Sequence, residues 1–235
     1  MKSFDATFRY ICEDIRYMYG TMAILYITFP ITLIWCLLGI LYNLDTISTA
    51  IFGPAYGLII SYGIFGFFVS LPIAVGLGST RKHFLRHYFL LGIISILLLM
   101  IVLNLLEFGM TLLFEEGITT ISLIDTGRLF FKEYNFFTYT LADASFGLFI
   151  FGLTSLITSI FYRLGFLKTA ILFVAALFII SLFAQLGTFD GFMEWLVGLS
   201  KSVLLFLPAI VGISALISTY PIMIHTPFKQ NSVRS

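Results

Sequence analysis

Long uncharged apolar runs alternate with short polar segments along most of the chain. A helix needs about 20 apolar residues to cross the hydrocarbon core of a bilayer. Six runs come close to this length or exceed it, and each is bounded by charged or polar residues. The pattern therefore predicts six transmembrane helices at residues 20–42, 54–77, 88–106, 144–162, 169–187 and 202–224.

The first 19 residues show a different pattern, since their apolar residues recur at steps of three and four with charged residues between them. The apolar positions are Phe4, Phe8, Ile11, Ile15 and Met18. Such spacing indicates an amphipathic helix with one apolar stripe. This helix is expected either to lie flat in the membrane interface or to cover a partner protein.

Residues 107–143 carry eight charged side chains, and none of their apolar pieces is long enough to cross a membrane. Aromatic residues cluster between positions 129 and 139, as they do in the belts that mark membrane interfaces. We therefore expect an extracellular segment with interfacial helices.

The composition supports this picture and adds to it. Hydrophobic residues make up 60% of the chain, charged residues make up 11%, and the mean hydropathy is +1.05. In soluble proteins about a quarter of all residues are charged. The sequence thus predicts an all-α integral membrane protein, with residues 1–235 forming one transmembrane domain. The net charge of +1 argues against a nucleic-acid partner.

A short basic stretch, residues 78–87, separates the second predicted span from the third, and we call it the basic turn. It contains three Lys or Arg residues and two histidines. Lys and Arg in short loops resist translocation, so the turn is expected on the cytoplasmic side. The resulting topology puts 10 of the 13 Lys and Arg residues inside and predicts that both termini are cytoplasmic.

The run from Leu71 to Phe84 resembles the turn between spans two and three in ABC-2-type transporter permeases of Gram-positive bacteria. The shared features are a proline, a glycine before Ser or Thr, two basic residues and an aromatic residue, although Ile73 follows Pro72 where the family has an aromatic residue. The six-span layout is also similar to that family. Small permeases of this kind include exporters of phenol-soluble modulins and self-protection transporters for peptide antibiotics.

The resemblance implies a protein of the bacterial cell membrane that pairs with a second permease, either a copy of itself or a related chain. Each permease would dock on an ATP-binding-cassette ATPase subunit, with Phe84 filling an apolar notch and the cations meeting acidic residues. The positions that match the family's coupling contacts are Thr80, Arg81, Lys82, His83 and Phe84 in the basic turn, and Phe8, Arg9 and Arg16 in the first helix.

The chain lacks the glycine spacing of a phosphate-binding loop, so ATP is expected to bind and be hydrolysed in the partner. We therefore expect no enzymatic activity, cofactor or metal in this chain. The six predicted spans contain no Asp, Glu, Lys or Arg, which disfavours a carrier driven by protons or ions. Such spans suit an amphipathic peptide or a similar apolar cargo. A membrane scaffold or sensor subunit that transports nothing is the alternative.

Overall fold

The structure is a computed structural model that describes most of the chain. The described residues are 9–13, 29–42, 47–49, 52–116, 121–123, 127, 134–185, 191, 194–195 and 198–226.

Helices dominate these residues, and two strands of three residues accompany them. In chain order the elements are α1 (Phe29–Tyr42), β1 (Ile47–Thr49), α2 (Phe52–Phe65), a π-helical segment (Gly66–Ser70), α3 (Leu71–Gly76), α4 (Arg81–Glu115), β2 (Ile121–Leu123), α5 (Phe136–Leu164), α6 (Phe166–Gln185) and α7 (Lys201–Ile224).

Five helices among the described residues are long and apolar enough to cross a membrane. They are Phe52–Gly76, Arg81–Leu113, Phe136–Leu164, Phe166–Gln185 and Ser202–Ile224. This confirms the prediction of a helical, membrane-embedded chain. The first predicted span, 20–42, is described only over the 14 residues of α1, and residues 20–28 lie outside the described part. This first span, 20–42, therefore stays a prediction.

Contacts between the helices fix their relative directions. α2 and α4 form an antiparallel hairpin, in which the rings of Tyr62 and Tyr88 stack with centroids 4.7 Å apart. α5 runs parallel to α2, because Asp143 near its start contacts Tyr56 and Phe161 near its end contacts Phe68. The alternation of directions is what successive membrane crossings require.

α5 and α7 cross with their backbones in contact, and two glycines make this possible. A Cβ atom on Gly152 would lie 2.1 Å from the carbonyl oxygen of Gly212, and one on Gly212 would lie 2.3 Å from the carbonyl oxygen of Leu148. Small residues of this kind allow close helix packing in membranes, where apolar burial between helices gives little driving force. α5 also packs against α2 and α4, so it is the central helix of the bundle.

The two strands pair in parallel, with Ile47 opposite Ile121 and Thr49 opposite Leu123. The pairing brings the chain after α1 beside the chain after α4. Within residues 107–143, α4 continues to Glu115 and α5 begins at Phe136, so both helices are longer than the predicted spans. Residues 117–120, 124–126 and 128–133 lie outside the described residues, and the interfacial helices stay a prediction.

Residues 9–13 are helical, in agreement with the predicted N-terminal helix over the part of it that is described. The side chain of Ile11 is 1% exposed and packs within the core of the bundle. The apolar stripe of the N-terminal helix therefore contacts the bundle of the same chain at Ile11.

Replacing Gly152 with Ala is expected to destabilise the protein, because the new methyl group meets backbone atoms of α7 that cannot move aside. Overpacking typically costs about 1–3 kcal/mol. The thermal midpoint in detergent, followed by size-exclusion chromatography, should therefore fall. Gly57→Ala in α2 is the matched control, since no described atom outside its own stretch of helix lies within 4 Å of its added Cβ. Equal midpoints for the two variants would contradict the close crossing.

Candidate functional site

The basic turn begins with a helix C-terminus that is closed by a glycine. Gly78 has a φ of 87°, a conformation that L-residues with side chains rarely adopt. The N–H of Gly78 donates to the carbonyl of Val75, and the N–H of Ser79 donates to that of Ala74. This is the Schellman arrangement, which satisfies two carbonyls at the end of α3. The chain can then reverse into α4 within four residues.

α4 begins at Arg81, and the side chains of its first two turns lie on two faces, one exposed and one buried. Lys82, His83 and Arg86 are exposed, whereas Phe84 and Leu85 are buried. Thr80, just before the helix, is exposed, and its hydroxyl oxygen accepts a hydrogen bond of 3.4 Å from the N–H of His83. The structure therefore presents a cationic face at this end of the bundle.

The two histidines belong to this face and lie one turn apart. Their rings stack with centroids 6.4 Å apart, and Nδ1 of His87 lies 2.7 Å from the carbonyl oxygen of His83. Among the described residues, no group of three or more His, Cys, Asp or Glu side chains could hold a metal ion.

Arg81 is partly buried and faces the C-terminal end of α7. Its Nη1 donates to the carbonyl oxygen of Thr226, and also to that of Met223 at 3.4 Å. These carbonyls lie at the C-terminal end of α7, where backbone acceptors lack helical partners and a positive charge is favourable. Arg81 thus places the basic turn and the end of α7 at the same end of the bundle.

Phe84 departs from the sequence-based expectation. Its side chain is 0% exposed and stacks on Tyr88 with ring centroids 5.4 Å apart. The ring thus packs inside this chain, and its contact with a partner stays a prediction. The helical period explains this, because positions 84, 85 and 88 share the inner face of α4, and the motif alone does not show which face is inward.

Tyr88 also anchors α4 to the helix before the turn. Its hydroxyl donates to the carbonyl oxygen of Tyr62, and its ring occupies the space where a side chain on Gly66 would lie. Gly66 begins the π-helical segment, a wider turn of a type that is frequent at functional sites. The buried aromatic contact holds the basic turn against the bundle.

The contacts predicted in the N-terminal helix are only partly described. Arg9 is exposed. Phe8 and Arg16 lie outside the described residues.

A second polar group, which the sequence analysis missed, lies inside the helices. The Asp143 carboxylate accepts hydrogen bonds from the Tyr56 hydroxyl at 3.1 Å and from Nδ2 of Asn104 at 3.0 Å. Asp143, Asn104 and Glu107 are each 0% exposed. Buried polar groups normally require such partners. Asp143 thereby connects α2, α4 and α5.

A charge usually ends an apolar run, so the sequence predicts that Glu107 and Asp143 lie in the extracellular segment. The helices instead continue beyond both residues. One signal was available, since Asn104 and Glu107 are three residues apart and therefore share a face of one helix.

Comparisons of this chain with known protein families, with curated proteins and with solved structures find no match.

Phe84→Ala should act on stability, because it removes a fully buried ring that packs against Tyr88. Losses of about 3–5 kcal/mol are typical for such changes. Phe166→Ala at the start of α6 is the matched control, since that ring is 73% exposed and its loss should change little. Thermal midpoints in detergent measure the difference. A midpoint for Phe84→Ala equal to that of the wild type would show that Phe84 is not a core residue.

Proposed function

We propose that this chain is the membrane-spanning permease subunit of an ATP-binding-cassette exporter that moves amphipathic peptides out of a bacterial cell. A separate ATPase subunit supplies the energy, and two permeases form the working unit. The proposal includes the first predicted span, residues 20–42, which brings the number of spans to six. It also includes cytoplasmic termini and rests on the family resemblance of the basic turn.

The observation that carries this proposal is the exposed cationic face at the end of two membrane-length helices. Lys82, His83 and Arg86 project from a tight turn that internal contacts hold firmly in place. Exposed cations steer and orient an acidic partner surface, while contributing modestly to its affinity. A rigid turn of this kind suits a membrane protein that a cytoplasmic ATPase moves by binding to the turn.

The described surface of the spans supports an apolar or amphipathic cargo. Every described position from 171 to 185 of α6 is exposed within the chain, and nearly all are apolar. Such a surface contacts lipid, a second permease or an apolar cargo face, and it offers few groups that would bind a strongly polar solute. An amphipathic helix binds apolar grooves by its apolar face.

Exchanging Lys82 and Arg86 together for Ala should weaken binding of the ATP-binding-cassette ATPase partner. Exposed ion pairs contribute about 0.2–1 kcal/mol each, so loss of two of them should raise the dissociation constant roughly two- to thirtyfold. The difference should shrink as salt is added. Binding is measured in nanodiscs, and ATP hydrolysis with and without a synthetic amphipathic helical peptide reports coupling.

Arg163→Ala is the control for this experiment, because Arg163 is also an exposed cation and lies in the last turn of α5. It should leave binding unchanged. If the wild-type chain binds no such ATPase, the exporter proposal fails and the scaffold or sensor alternative remains.

A carrier coupled to protons or cations is a second candidate, and the buried carboxyl groups favour it. Ionisable residues within membrane helices are rare and often mark ion or proton pathways. The six predicted spans contain no ionisable Asp, Glu, Lys or Arg, but Glu107 and Asp143 are buried in helices of membrane length.

For this second candidate, Asp143→Asn should abolish proton uptake by liposomes that contain the protein, a pH-sensitive dye and an imposed pH gradient. The amide keeps the shape of the side chain but has no carboxyl group to exchange a proton. Glu116→Gln is the control, since Glu116 is exposed just after α4. Equal proton fluxes in the wild type, both variants and empty liposomes would rule this candidate out.

A further inference from the structure

Arg81 differs from the other cations of the basic turn in what it contacts. Lys82, His83 and Arg86 are exposed, whereas Arg81 is partly buried and donates across the bundle to carbonyls 142 and 145 residues away. By resemblance alone, Arg81, Lys82 and His83 are all expected to be partner contacts. Their placement in the structure separates them into two sets.

The end of α7 needs the contacts that Arg81 makes. The last four carbonyls of a helix have no partner within it. The side-chain hydroxyl of Thr226 donates to the carbonyl of Ile222, and the N–H of His225 donates to that of Pro221 at 3.4 Å. Arg81 donates hydrogen bonds to the carbonyl oxygens of Met223 and Thr226, and Thr226 is itself buried.

Arg81 is also fixed rigidly to the exposed cationic face. It is the first residue of α4, directly before Lys82, and the next inward residues are Phe84 and Leu85, both fully buried. A force on Lys82 or Arg86 therefore moves Arg81 with the whole helical turn. The π-helical segment and Gly78 on the other side of the turn are the places where the backbone departs from regular α-helix.

We propose that Arg81 is a positioning residue that transmits movement of the basic turn to the end of α7, and that it does not bind the partner. The identity of that partner rests on the proposed function, whereas the link between Arg81 and α7 does not. α7 in turn touches α5 at Gly212 and Gly152, so a displacement at its end reaches the central helix.

The chemistry of the link favours arginine over lysine. A guanidinium group presents several N–H donors in a fixed plane, whereas an ammonium group is a compact charge on a flexible stem. Two carbonyls on one helix end match the planar group. Lysine at position 81 is therefore expected to keep the charge of the turn and to lose much of the link.

Hydrogen exchange of α7 in nanodiscs tests the link without any partner. Arg81→Gln should speed exchange of the amides at residues 222–226 about tenfold, because hydrogen bonds from a charged donor to the last turn are lost. Arg81→Lys should fall between Arg81→Gln and the wild type. Lys82→Gln removes the neighbouring exposed cation and should leave exchange unchanged. Equal exchange in Arg81→Gln and the wild type would overturn the proposal.

Assembly with the ATP-binding-cassette ATPase partner tests the transmission. Arg81→Gln should bind the ATPase within about twofold of the wild type and lose stimulation of ATP hydrolysis by the amphipathic peptide, whereas the double Lys82 and Arg86 variant should lose affinity. A loss of affinity in Arg81→Gln as large as in the double variant would make Arg81 a partner contact and overturn the proposal. If the wild-type chain binds no ATPase, the proposed function fails, and the exchange rates alone decide whether Arg81 holds α7.

Discussion

The close backbone crossing of α5 and α7 is the contact on which the rest of the bundle depends. Helices surrounded by lipid gain little from burying apolar side chains against each other, so close packing and internal hydrogen bonds must hold them together. Gly152 and Gly212 let the two backbones touch. With α7 fixed in this way, its C-terminal end lies where Arg81 can reach it, and the basic turn acquires a partner inside its own chain.

Three kinds of contact hold the helices together, and each lies at a different level along the length of the bundle. Aromatic rings around Tyr88 pack the end that carries the basic turn, the glycines join the helices in the middle, and the Asp143 hydrogen bonds join α2, α4 and α5 nearer the other end. The exposed cations lie beyond this packed region. A stable bundle with a charged, well-anchored turn at one end is consistent with a membrane subunit that responds to a partner.

Hydropathy predicted the membrane helices well, because a run of apolar residues needs no tertiary information to be recognised. Both α4 and α5 extend beyond the predicted spans, because Glu107 and Asp143 look like boundaries in the sequence yet are buried within the helices, Asp143 beside Tyr56 and Asn104. The motif located the basic turn, but the inward orientation of Phe84 and the reach of Arg81 to Thr226 depend on packing between distant segments. The pairing of residues 47–49 with 121–123 is likewise nonlocal and too short to leave a sequence signal.

Labelling from one side of the membrane tests most directly the claim that the basic turn faces the cytoplasm and the start of α5 faces outward. Single cysteines replace Lys82 and Phe137, both exposed, in a chain whose Cys12 and Cys36 are changed to Ser. An impermeant maleimide added to intact cells should label Phe137→Cys, and it should label Lys82→Cys only after lysis. Labelling of Lys82→Cys in intact cells, with protection of Phe137→Cys, would contradict the orientation on which the account rests.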